Sequence, residues 1–196
     1  MDQLNQAALY VLQTLGSLYL MVVLLRFILQ LVRADFYNPL SQFAVRATQP
    51  FLKPLRRIIP SVAGLDIASL VLALLVQLAL TALTMLLVYG TTGSPVQLLS
   101  WSLIGVTALF INIFFYALII SVILSWVAQG SHNPAAMLVN QLCEPLLMPF
   151  RRLLPNLGGL DLSPIFAFIA IKLVDMLVIK SMVQMTGMPD ALRLLI

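Results

Sequence analysis

Residues 38–66 read NPLSQFAVRATQPFLKPLRRIIPSVAGLD, and residues 133–161 read NPAAMLVNQLCEPLLMPFRRLLPNLGGLD. The two stretches align without a gap, 95 residues apart, with 11 identities over 29 positions. Asn38-Pro39 matches Asn133-Pro134, Pro50 matches Pro145, Leu52 matches Leu147, and Pro54 matches Pro149. Arg56-Arg57 matches Arg151-Arg152, Pro60 matches Pro155, and Gly64-Leu65-Asp66 matches Gly159-Leu160-Asp161. A shared apolar bias would yield Leu, Val and Ile identities; these are mainly Pro, Gly, Asn, Asp and Arg. A duplicated unit explains them, and its period is too long for a solenoid array.

Apolar segments flank both copies. Leu9 to Val32 carries one charge, Arg26; Ile67 to Val88 and Leu98 to Val127 carry none; Ser163 to Met185 contains Lys172, Asp175 and Lys180. Each is long enough to cross the roughly 30 Å hydrocarbon core as a helix. The repeat argues that the fourth segment spans like its counterpart, the alternative being an amphipathic helix on the membrane surface. Composition agrees: 61% of residues are hydrophobic, 9% are charged, and the mean hydropathy is +1.03. A soluble domain has about a quarter charged residues and could not cover this much apolar surface. The amino terminus lacks the basic region and small-residue cleavage site of a secretory signal.

The fold expected is therefore all-α and polytopic: four transmembrane helices forming two tandem helical hairpins, residues 1–93 and 94–196, with spans near 9–32, 67–88, 98–127 and 163–185. Each unit holds an even number of spans, so the repeat is parallel rather than inverted. The net charge of +4 is unevenly spread. Arg33, Arg46, Lys53, Arg56, Arg57, Arg151 and Arg152 lie in the two long connections; Arg193 alone lies in the termini or the short middle loop. The positive-inside rule places the connections in the cytoplasm and both termini outside.

Within each connection the residue types have local uses. Asn38 and Asn133 suit the N-cap of a helix whose first residue is Pro39 or Pro134. Leu40, Phe43, Ala44 and Ala47 share one face, which suggests a short interfacial helix. Pro50 and Pro54, like Pro145 and Pro149, are expected to break or kink the chain. Arg56-Arg57 and Arg151-Arg152 match anionic headgroups or a protein partner. Gly64 and Gly159 allow turns, and Asp161 or Ser163 can cap the last span.

The run Ile123-Leu124-Ser125-Trp126, Asn133-Pro134, Glu144-Pro145-Leu146-Leu147, Pro149-Phe150-Arg151-Arg152-Leu153-Leu154-Pro155 and Gly158-Gly159-Leu160-Asp161-Leu162-Ser163-Pro164 resembles the signature of the YggT/YlmG family. The first unit is a more diverged copy, with Gln49 for Glu144 and Ala68-Ser69 for Ser163-Pro164. The resemblance implies a small multi-pass protein of the bacterial inner (plasma) membrane. It also implies links to osmotic-shock tolerance, to division and nucleoid distribution or, in plastids, to haem attachment. It supplies no catalytic residue and no cofactor.

Ionisable and polar groups within spans are functional candidates: Arg26, Gln77, Asn112, Lys172 and Asp175. Lys172 and Asp175, three apart, can pair on one helix face, either as an ion site or as a neutralised seam. Lys172 lies about 14 Å along the helix from Ser163, near midplane. Arg26 is expected to snorkel to the cytoplasmic surface and Lys180 outward. Asn112 is expected to bond a neighbouring helix. The lone His132 and lone Cys143 lack the partners that zinc or nucleophilic catalysis needs. Direct nucleic-acid readout is not expected. The readings left are a non-catalytic scaffold or assembly factor, with membrane lipid and a membrane-protein partner or a second copy; an oligomeric channel, transporter or osmotic-tolerance component; and an enzyme recruiting His132 and Cys143.

Overall fold

A computed structural model describes residues 3–62, 64–127, 133–153 and 161–195. Among these residues seven α-helices follow one another: α1 (Gln3–Leu31), α2 (Pro39–Ile58), α3 (Ile67–Tyr89), α4 (Pro95–Val127), α5 (Pro134–Leu153), α6 (Ser163–Val174) and α7 (Lys180–Thr186). A π-helical turn, Asp175–Ile179, joins α6 to α7, and a 3₁₀ segment, Asp190–Leu195, ends the chain. Among the described residues the only β pairing is an isolated bridge between Val62 and Leu65.

Among the described residues, three helices are long and apolar enough to cross a membrane: Gln3–Leu31, Ile67–Tyr89 and Pro95–Ser125. The chain is a helical protein with membrane-spanning capacity. Residues 163–186 are helical without a gap but carry Lys172, Asp175 and Lys180 and change pitch at the π turn. Leu86, Leu87, Leu99, Leu103, Ile120, Ile165, Ile169, Leu173 and Leu177 all face outward. Such an exterior is costly in water and favourable in lipid.

The duplication is visible in the elements. α2 and α5 have 20 residues each, start on equivalent prolines and hold equivalent internal prolines. In the first unit α1 packs on α3; in the second, α4 packs on α6 and α7; α4 also lies against α1, α3 and α5. Gly16 admits Leu80, since a Cβ there would lie 2.2 Å from a Leu80 methyl; Gly105 admits Gln77 in the same way. Small residues at these crossings let the helices approach closely. At the opposite end from the connections, the 3₁₀ segment folds back on α1 and α3: Leu192 and Leu195 are buried, and Gln13 Nε2 donates to the Ala191 carbonyl at 3.1 Å.

Of the break or kink expected at the prolines, the connections show no break. α2 runs from Pro39 to Ile58 through both Pro50 and Pro54, and α5 likewise through Pro145 and Pro149. The reason is where the prolines fall. Each removes one N–H, orphaning the carbonyls of Arg46 and Pro50 in α2, and these residues line an exposed stripe with Pro54. Orphaned carbonyls on an open face can be solvated, so the helix continues. The buried face is Ser41, Ala44, Thr48 and Leu52, whereas Leu40, Phe43 and Phe51 are exposed. The small face seats α2 on the bundle and leaves the bulky apolar face outward.

Candidate functional site

The chemistry collects where each connection returns to the bundle. Asn38 caps α2, its Oδ1 accepting from Leu40 N at 3.0 Å; Asn133 does the same for α5, accepting from Ala135 N at 2.9 Å. Asn38 also donates from Nδ2 to the Pro134 carbonyl at 2.6 Å, and Asp35 N donates to Gln141 Oε1 at 3.0 Å. These contacts tie the two connections together. Gly64, at φ +81°, takes the left-handed conformation that glycine adopts without steric cost. Pro60 is exposed at the mouth of a cavity that Arg26 and Asp66 also line. Pro155 and Gly159 lie outside the described residues.

In the first unit Arg56 donates to Asp66, and Ser69 Oγ donates to the same carboxylate oxygen at 2.5 Å. Asp66 is only 3% exposed. Burial pushes its pKa up, but the hydrogen bonds from Arg56 and Ser69 outweigh that and hold the carboxyl below its ordinary range. In the second unit Arg151 is shared: Nη1 donates to Glu144 Oε2 at 2.6 Å and Nε to Asp161 Oδ2 at 2.9 Å. Asp161 Oδ1 also accepts from Ser163 N at 2.9 Å, at the start of α6. Burial raises the Asp161 pKa, while the bonds from Ser163 and Arg151 together lower it more. Arg57 and Arg152 carry no ion pair among the described residues and are exposed.

Arg26 does not snorkel. It is 6% exposed, and its Nη1 donates to the Val45 carbonyl at 3.1 Å and to Thr48 Oγ1 at 2.6 Å. Thr48 Oγ1 in turn donates to the Ala44 carbonyl at 2.7 Å, which leaves its lone pairs for the guanidinium. The partners lie 19 and 22 residues away, so the stripe Arg26, Gln30, Arg33 gave no hint of them. The helix α2, by docking, puts acceptors where water would otherwise have been needed.

Lys172 and Asp175 form no ion pair among the described residues. Lys172 Nζ instead sits 4.2 Å from the centroid of the Phe115 ring, a cation–π contact. The π turn begins at Asp175, and its i→i+5 hydrogen bond, Lys180 N to Asp175 O, rotates α7 relative to α6. Asp175, Asn112, Lys180, Gln184 and Arg193 line one cavity of about 400 Å³. Lys180 is exposed at its rim. Asn112 makes no side-chain hydrogen bond among the described residues. Gln77 is fully buried, and its Nε2 and Oε1 find no partner there; the Thr81 hydroxyl one turn on is also unpaired. Cys143 is buried, which pushes its thiol up to about 12. His132 lies outside the described residues. Among the described residues no group of acidic, histidine and cysteine side chains is placed to hold a metal ion.

Duplicated helical units with polar elbows define a class: a helical protein of membrane type built by internal repetition. The profile of the CCB3/YggT family matches residues 5–87 and again 100–182. The chain belongs to the CCB3/YggT family. It is 71% identical over 192 residues to an uncharacterized protein of Pseudomonas aeruginosa, covering 97% of this chain and 98% of that one. It is 39% identical over 178 residues to the uncharacterized protein YggT of Escherichia coli strain K12, covering 91% and 92%. A chloroplastic YlmG homolog protein of Arabidopsis thaliana is 41% identical over 64 residues, covering 32% of this chain and 24% of that protein. No solved structure matches.

Proposed function

We propose that this protein is a non-catalytic scaffold or assembly factor of the bacterial inner membrane, crossing it four times as two tandem hairpins. The spans are α1, α3, α4 and the continuous helix of residues 163–186. α2 and α5 lie along the cytoplasmic interface, and both termini and the 90–94 loop face outward. Seven basic residues on the connection side support this orientation. The charges of the fourth segment have local company: Lys172 lies over Phe115, and Asp175 lines a cavity with Asn112, Lys180, Gln184 and Arg193.

The observation that carries the functional reading is the joined pair of connections. α2 and α5 are equivalent helices bonded to each other through Asn38 and Asp35, and they present Arg46, Lys53, Arg57 and Arg152 together with Phe43, Phe51 and Met137 on the outside. Basic and bulky apolar residues exposed together on these joined helices suit anionic headgroups and the surface of a membrane-protein partner at once. Photocrosslinkers placed at Phe43 and Met137 in native membranes test this. A defined protein adduct is expected, weakened when Arg57 and Arg152 are both changed to Ala. Adducts with lipid alone would overturn the scaffold reading, and ion flux from reconstituted protein under osmotic load would favour a channel.

A further inference from the structure

The two units place opposite charge on the same framework. Arg26, Thr48 and Gln49 of the first unit correspond to Ser121, Cys143 and Glu144 of the second. In the second unit two carboxylates surround one guanidinium, and Ser121 Oγ spends its hydrogen bond on Asn140 Oδ1 at 3.0 Å. In the first, two guanidiniums face one carboxylate, and that carboxylate is already taken by Arg56 and Ser69. Arg26 joins no ion pair among the described residues. Among the described residues this guanidinium, 6% exposed, makes two hydrogen bonds, both from Nη1 and both to neutral acceptors, so its charge has no direct ion-pair partner.

Arg26 opens onto a cavity of about 690 Å³, which it shares with Gln30, Arg56, Ser61 and Asp66. The volume falls in the range of small-ligand sites. The mouth is formed by exposed Phe36, Pro60 and Ser61 at the end of the bundle where the connection turns back.

We infer that this cavity is a phosphate-binding site, with Arg26 as the buried anchor and Arg56 at the rim, and that the second unit has no such site. A phosphate oxygen pair matches the forked Nε and Nη2 face that Arg26 leaves unused. Gln30 and Ser61 add neutral donors. Asp66 does not repel the ligand's charge outright, because Arg56 and Ser69 already hold it. The chemistry is that of a phosphate mono- or diester, supplied either by an anionic phospholipid headgroup or by a soluble phosphate. The site goes beyond the scaffold reading and is independent of it: absence of a protein partner leaves the pocket intact, and an empty pocket leaves the partner surface intact.

The test uses the full-length chain in nanodiscs of phosphatidylcholine, with and without phosphatidylglycerol, and native mass spectrometry of the lipid that stays bound on release. A parallel arm titrates inorganic phosphate and glycerol 3-phosphate into phosphatidylcholine nanodiscs and follows the thermal midpoint. One retained phosphatidylglycerol per chain is expected. Arg26→Gln should lower that occupancy about tenfold or more, the scale of a lost charge-assisted pair. Ser61→Glu, a change at an exposed position that leaves packing alone, should do the same. Arg193→Gln, which removes an exposed cation at the opposite end of the bundle, should leave it unchanged. A midpoint raised by phosphate alone, with the same pattern across variants, assigns the site to a soluble ligand. Equal lipid retention by wild type, Arg26→Gln and Ser61→Glu with no phosphate response overturns the inference, as does equal loss in Arg193→Gln.

Discussion

Asp66 and Cys143 set opposite ends of the pH response. The Asp66 carboxyl, held below the ordinary aspartate value near 3.8, contributes stability that is complete above that pH and is lost as pH falls through the folded value. The Cys143 thiol, raised to about 12 from 9.0, is favoured neutral, so its contribution is complete below pH 9 and is lost as pH rises toward 12. Melting of the purified protein should therefore gain nothing from these groups between pH 5 and 8, fall below about pH 4 and fall again above about pH 9. Asp66→Asn should flatten the acid limb, and a maleimide at pH 7 should label Cys143 only after unfolding. Gln77 offers a second residue-scale check. Its amide is buried without a partner, and leaving such a group unpaired costs about 1–3 kcal/mol. Gln77→Met, similar in volume, should raise the unfolding midpoint in detergent; a fall would mean that the amide has a ligand. Gly105→Val should do the reverse, because even a Cβ there meets Gln77 Nε2 at 2.2 Å.

At the scale of elements, α2 and α5 show how far local residue types carry. Asn38-Pro39 and Asn133-Pro134 are helix starts by backbone chemistry alone, and both helices begin there. Pro50 and Pro54 read locally as a break or a kink, and the helix passes through them unbroken because their orphaned carbonyls fall on an open stripe, a fact of tertiary packing. Pro50→Ala restores an N–H for the Arg46 carbonyl and removes a helix penalty of up to about 3 kcal/mol. Its expected outcome is a higher unfolding midpoint with unchanged far-ultraviolet circular dichroism. The π turn at Asp175–Ile179 was beyond reach of the sequence for the same reason, and so was the partner of Lys172: spacing of three put it beside Asp175, while its ammonium lies over the Phe115 ring. Arg26 was legible as a charge in a span, but its acceptors on α2 were not, since they depend on docking across 19 and 22 residues. The one available hint was the concerted exchange of Arg26, Thr48 and Gln49 for Ser121, Cys143 and Glu144 at the repeat offset. The fold-back of residues 190–195 onto Gln13 left no periodic signal at all.

For the whole molecule, duplication and hydropathy were readable because both are carried by many residues at once. Proline, glycine and arginine identities at constant offset survive apolar drift, and three uninterrupted apolar helices require a lipid-like surrounding. The fourth helix decides the topology, since it carries Lys172, Asp175 and Lys180 and the repeat is what argues for a crossing. Cysteine accessibility tests it. In a Cys143→Ala background, Ser94→Cys and Gln184→Cys should react with a membrane-impermeant maleimide in intact spheroplasts, while Arg57→Cys and Arg152→Cys should react only after lysis. Labelling of Gln184→Cys from the same side as Arg152→Cys, or silence of Ser94→Cys before lysis, would contradict two parallel hairpins crossing the membrane four times.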